Sequence, residues 1–188
     1  MPETPIVLAS QSPRRQELLR QAGIRFRVFI PNEQAEDAQR KGESTADFVT
    51  RLAYQKALDV RGRGGASATI IACDTVADVD GEILGKPRDV DDARRMLQLL
   101  SGREHKVYSG LCVWPSMALN PHQFVEVSVL RMTSLSPIEL ETYLASQAWQ
   151  GKSGAFGYQD NHPWLSLISG TASNVVGLPM ERLLEILS

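Results

Sequence analysis

Ala68, Ile70 and Ala72 alternate with Thr69, Ile71 and Cys73, so the run 68–73 offers an almost wholly apolar surface on either side of a strand. Successive side chains of a strand point to opposite faces, and a strand that is apolar on both needs a covering layer on each side. This predicts a central strand, ending in Asp74-Thr75, in a sheet sandwiched between helices.

The flanking sequence supplies those layers. The apolar run 6–9 leads directly into Ser10-Gln11-Ser12-Pro13-Arg14-Arg15, a strand, turn and helix in which Ser12 caps, Pro13 takes the first helical position and Gly23 stops the helix. A strand over 26–30, a polar segment over 32–42 and a helix over 45–60 follow, with Phe48, Leu52 and Ala53 on one helical face. Residues 61–65, rich in Gly and Arg, read as a flexible surface loop. Residues 76–84 form a hairpin around Asp80-Gly81, and 91–100 carry helical spacing closed by Ser101-Gly102. Strands over 106–113 and 124–133, a helix over 137–145 capped by Ser136, a glycine-punctuated loop over 153–160, a strand over 164–168 and a helix over 179–187 complete the chain. Helices and strands interleave without strict βαβ alternation and without an internal repeat. The predicted fold is therefore α/β, a twisted mixed sheet flanked by helices in one domain spanning 1–188.

Composition excludes several classes. Lys plus Arg number 20 and Asp plus Glu 22, a net charge of −2, which argues against holding nucleic acid by bulk charge. Apolar runs stop far short of the roughly 20 residues a membrane span needs, and residues 1–10 carry no targeting pattern, so no membrane partner and a cytoplasmic location are expected. Cys73 and Cys112 lack CxxC spacing and read as buried, reduced thiols.

Five groups of residues can carry chemistry. A turn between a buried strand and a helix aims backbone N–H groups and the positive helix end at one point, and Ser10, Ser12, Arg14 and Arg15 add hydroxyls and guanidiniums there, suited to a phosphate chain. The alternative is an ordinary capped helix with a solvated arginine pair. Asp74 follows an apolar strand, where open α/β sheets build sites, and its carboxylate can hold Mg²⁺ or take a proton from water; an Asx turn ending the strand is the plainer reading. Lys56, and Lys86 stiffened by Pro87, are cations that can be directed at a ligand. Glu33, Glu36 and Asp37 form an acidic cluster that either ligates a metal or is a solvated loop. In the segment 152–159 the glycines around Phe156 allow close backbone approach, and Gln159 offers the donor and acceptor that a base edge requires.

Taken together, these stretches resemble the Maf family of nucleotide pyrophosphatases. The likeness rests on residues 8–19, 51–57, Asp74-Thr75 with 81–87, 100–102, 152–159 and 174–179, in family order over nearly the whole chain. It implies two lobes around a deep cleft, a fold resembling inosine triphosphate pyrophosphatase. It also implies metal-assisted hydrolysis, with Mg²⁺ or Mn²⁺, of a nucleoside triphosphate between the α and β phosphates. Asp74 would then be the general base or metal-linked carboxylate. Arg14, Arg15, Lys56 and Lys86 would hold phosphates, with Ser10 and Ser12 lending hydroxyls, and the family's loop acid would fall on Glu36 or Asp37. A homodimer is a family-level expectation.

Within the family, base choice is tied to Arg14, Thr75 and Gln159, and this combination resembles the branch acting on dTTP and UTP, with modified pyrimidine nucleotides as further candidates. The 7-methyl-GTP branch usually carries glutamate at the last position. A septation-inhibiting binding protein that uses the cleft as a nucleotide sensor is the alternative from another class. One departure stands out: Asp160-Asn161-His162-Pro163 occupies a stretch where the branch usually continues with glycine.

Overall fold

The computed structural model describes residues 4–32, 35 and 37–188. A seven-stranded sheet runs through the molecule. Its strands are β1 (Ile6–Leu8), β2 (Arg27–Val28), β3 (Thr69–Val79), β4 (Glu82–Leu84), β5 (Glu104–Trp114), β6 (His122–Met132) and β7 (Leu165–Ser169). The order is β2-β1-β3-β5-β6-β7, with β4 on β3. Pairings among β2, β1 and β3 are parallel and all others antiparallel, so the sheet is mixed as predicted.

Among the described residues six α-helices flank it: α1 (Pro13–Gln21), α2 (Thr45–Gly62), α3 (Val90–Leu100), α4 (Pro137–Ala145), α5 (Ala172–Val176) and α6 (Met180–Leu187). The anticipated caps form. The Ser12 hydroxyl accepts from Arg15 N, and Ser136 and Glu139 make a reciprocal capping box that satisfies two otherwise orphaned donors of α4. At the β3–β4 hairpin both Asp80 (φ 52°) and Gly81 (φ 87°) take the positive φ that a tight, twist-matched turn requires.

The two faces of β3 are both buried, as its pattern demands. Ile71 and Cys73 pack with Leu8, Leu19, Leu111 and Leu183 beneath α1 and α6, while Ile70 and Ala72 pack with Ala53, Ala57 and Val60 of α2 on the opposite face. The long helix α2 lies so close to the sheet that a Cβ on Gly110 of β5 would run into the Val49 carbonyl. The far halves of β3, β5 and β6 carry a second core, built from Leu84, Leu97, Leu100, Leu130, Leu144 and Trp164 with α3 and α4. Two lobes thus share one sheet, and a cleft opens between them.

Three predictions are corrected. Residues 61–65 are not a loop throughout: α2 continues to Gly62, and Gly65 is buried in a 3₁₀ turn against Val60 and Ile70. The second strand shrinks to Arg27–Val28 because only those two residues pair with β1. Most consequentially, β3 does not end at Asp74 but continues to Val79, because β5 pairs with it continuously from Ile70 to Asp78.

Candidate active site

With β5 occupying one edge of β3, its other edge is shared. β1 pairs with Thr69 to Ile71 and β4 with Ala77 to Val79. Between them, residues 72–76 have no strand neighbour on that side among the described residues, and Asp74 is at the centre of the gap. The carboxylate, which lines the cleft, is thus set beside an interruption in the sheet, at a junction where strand order changes.

Lys56 reaches the same point from α2. Its Nζ lies 2.5 Å from Asp74 Oδ1, and the two side chains are only 5% and 13% exposed. Removing an ammonium and a carboxylate from water is costly unless they are paired, and here each meets that need for the other.

Around this pair the cleft, about 990 Å³ in volume, gathers the cations. Arg15 is held by neutral acceptors: Nε donates to the Gly177 carbonyl at 2.7 Å, Nη1 to Ser10 Oγ at 3.2 Å and Nη2 to Thr75 Oγ1 at 3.2 Å. These bonds orient the guanidinium without cancelling its charge, which remains available to an anion. Arg14 donates to the Gly151 carbonyl at 2.9 Å. Burial, and then the neighbouring Arg15 charge, pull its pKa below the usual arginine value. Lys86 lines the cleft from the other lobe and is exposed to it.

Thr75 ties the floor together. Its hydroxyl lies 2.8 Å from that of Ser109, directly opposite on β5, and its carbonyl accepts from Ser153 Oγ at 2.8 Å. Ser109 in turn donates to the Asn174 carbonyl of α5, and Asn174 Nδ2 donates to Ser128 Oγ at 2.9 Å. This buried network was not anticipated; only the Asp74-Thr75 and 174–179 stretches hinted at its ends. Cys73 lies beneath it, a thiol whose pKa burial drives up.

Every described residue singled out from the sequence reaches this one cleft. Ser10, Ser12, Asp37 and Gln159 line it together with the cations and Asp74. Asp37 sits at the mouth, half-exposed, bonded to Gln55 Nε2 at 2.8 Å and 3.7 Å from Arg51 Nη1. Arg51 also grips Glu43 at 2.6 Å and the Ala38 carbonyl, tying residues 37–43 to α2. Glu33 and Glu36 lie outside the described residues. Among the described residues no cluster of three or more His, Cys, Asp or Glu forms a protein-only metal cage. Asp74 is the largely buried carboxylate of the cleft that could serve as one ligand of a hard divalent cation.

Residues 5–188 match the family described as "Maf-like protein". The chain belongs to that family. Among relatives of this Maf-like chain, the "dTTP/UTP pyrophosphatase" of Rhodopirellula baltica is 46% identical over 186 residues, covering 97% of this chain and 80% of that protein. The protein of the same name from Ralstonia nicotianae is 40% identical over 188 residues, covering 95% and 90%. Among solved structures, similarity extends to the Staphylococcus aureus Ham1 protein, at 15% identity and a TM-score of 0.48 over 68% of this chain and 71% of that one. A Mycobacterium abscessus structure titled "Nucleoside-triphosphatase / dITP/XTP pyrophosphatase" matches at 15% identity and a TM-score of 0.43, over 97% and 92%.

Proposed function

We propose that this Maf-family chain is a nucleoside triphosphate pyrophosphatase that hydrolyses dTTP and UTP to the monophosphate and pyrophosphate. The observation that carries the reading is the Lys56–Asp74 pair at the sheet gap, facing a cleft whose cations come from both lobes. The names of the relatives, dTTP/UTP pyrophosphatases at 40–46% identity, supply the substrate class.

Hydrolysis at the α phosphorus forms a bond from water oxygen to phosphorus and breaks the bridging bond to the β phosphate, with pyrophosphate leaving. The triphosphate brings roughly four negative charges, and catalysis is chiefly positioning and charge stabilisation. In this reading Arg14, Arg15 and Lys86 bear on the phosphate chain, and Ser10 and Ser12 add hydroxyl donors. Asp74 orients the water and accepts its proton, while Lys56 fixes one carboxylate oxygen and leaves the other to face the cleft. A divalent cation held by Asp74 and the phosphates would neutralise charge and polarise the α phosphate. Asp37 would act at the mouth. Gln159 would read the O4 acceptor and N3–H donor of uracil or thymine.

The test is product analysis with UTP and dTTP in the presence of Mg²⁺ or Mn²⁺. Equimolar monophosphate and pyrophosphate are expected; orthophosphate with the diphosphate, or no turnover, would refute the reading.

A further inference from the structure

Gln159 presents a difficulty for discrimination. A carboxamide has a donor and an acceptor that exchange places when it turns over, so a glutamine that pairs with uracil pairs equally well with cytosine after a flip. Discrimination against cytosine requires a fixed setting for that carboxamide, and the first requirement is a fixed backbone beneath it.

That segment is two 3₁₀ turns, Ser153–Ala155 and Tyr158–Asp160, joined by extended backbone through Gly157. The first turn is moored: Ser153 Oγ donates to the Thr75 carbonyl at 2.8 Å, and Gly154 N to the Gly85 carbonyl at 3.0 Å. The second turn carries Gln159 and is bound back to the residue that precedes the first by an ion pair between Lys152 Nζ and Asp160 Oδ2. The two side chains are only 11% and 24% exposed, so this pair is shielded. It crosses directly over Gly157, where an added Cβ would collide with both charged ends. Asn161 then turns left-handed (φ 53°) and ends the turn. Other groups face the pair as well. His162 Nε2 is 3.9 Å from Asp160 Oδ2, and the buried Tyr143 hydroxyl and the Arg14 guanidinium feel the Asp160 charge.

We propose that the Lys152–Asp160 pair is a specificity strut: it locks the crest bearing Gln159 and so makes the cleft distinguish uracil from cytosine nucleotides. Lys152 and Asp160 are positioning residues, acting through Gln159 and not on the phosphates. The proposal rests on the pyrimidine-nucleotide reading given above for this cleft.

Three variants probe it: Lys152→Met, Asp160→Asn and Gly157→Ala. The last removes neither charge but forces the two charged ends apart, and because it displaces only the ends of two side chains at an ordinary φ, the chain is expected to fold. Binding of the α,β-methylene analogues of UTP and CTP is measured by calorimetry for each variant and for the Lys152→Met/Asp160→Asn double variant. Inhibition of binding by inorganic pyrophosphate reports the phosphate end alone. The preference for the uridine analogue should fall about tenfold in every variant, with the double no worse than either single, while pyrophosphate affinity stays within about twofold. An unchanged uridine-to-cytidine ratio in folded variants, a wild type without preference, or a parallel loss of pyrophosphate affinity would overturn the strut. Binding reads this directly, whereas failure of the pyrophosphatase reading would show separately as wild-type protein that binds the analogues but releases no pyrophosphate from UTP.

Discussion

Lys56 Nζ and Asp74 Oδ1, on residues 18 positions apart, meet at 2.5 Å where β3 is paired on one side, with β5, and falls between β1 and β4 on the other. Helix and strand thus bring opposite charges together in the cleft. Replacing Asp74 by Asn should cost about 10²–10⁴ in kcat, the usual contribution of a positioned proton acceptor. Lys56→Met should also lower kcat, and should lower the melting temperature as well, because it strips a shielded carboxylate of that ammonium. Steady-state kinetics and thermal unfolding on the same samples separate the two effects.

Arg15 is tested by a substitution that keeps its charge. Lysine cannot reproduce the three directed bonds to Gly177, Ser10 and Thr75. Arg15→Lys should reduce kcat/KM by about 10², with folding intact. Near-wild-type kinetics would show that charge alone suffices.

The close approach of α2 to the sheet predicts a stability effect with a catalytic echo. Gly110→Ala places a methyl against the Val49 backbone, so α2 must shift. Such overpacking costs about 1–3 kcal/mol. Since α2 carries Lys56, activity should fall below what the loss of folded protein explains, as measured by denaturant titration beside kinetics.

These contacts also show what was legible in the sequence and what was not. The two-sided apolar run 68–73 announced a central strand, and its faces are covered as it required. Asp74 was identified on the premise that it ends a strand, yet it lies within one. The gap beside it arises from where β1 stops and β4 begins, which local pattern does not encode. Helix α5 escaped notice because its five residues include Val175 and Val176; the Asn174 side chain, bonded to Ser128 and to the Val107 carbonyl, anchors it instead of propensity. The Lys152–Asp160 pair closes within one segment, but opposite charges eight positions apart in an irregular loop carry no periodic signal.

Acid should act on the Arg51–Glu43 clamp. The Arg51 guanidinium, by hydrogen bonding, holds Glu43 down at about 2 against a usual 4.5. A depressed folded-state pKa gives stability that is fully present above 4.5 and is lost as pH falls towards 2. Wild type should therefore exceed Arg51→Met in stability near neutrality, and the difference should narrow across that window. A difference independent of pH would mean that the clamp is not electrostatic.

Base recognition is tested by Gln159→Glu. A carboxylate offers acceptors only, so the ratio of kcat/KM for UTP over 7-methyl-GTP should fall about tenfold or more. An unchanged ratio would remove Gln159 from the base site.

The most direct test of the account is the fate of water oxygen. Turnover of UTP in ¹⁸O-labelled water, followed by mass spectrometry of both products, reports which phosphorus is attacked. Attack at the α phosphorus by water oriented on Asp74 places the label in UMP, and the Asp74→Asn variant should yield almost none at equal times. Label in pyrophosphate, or undiminished labelling of UMP by the Asp74→Asn variant, would contradict it.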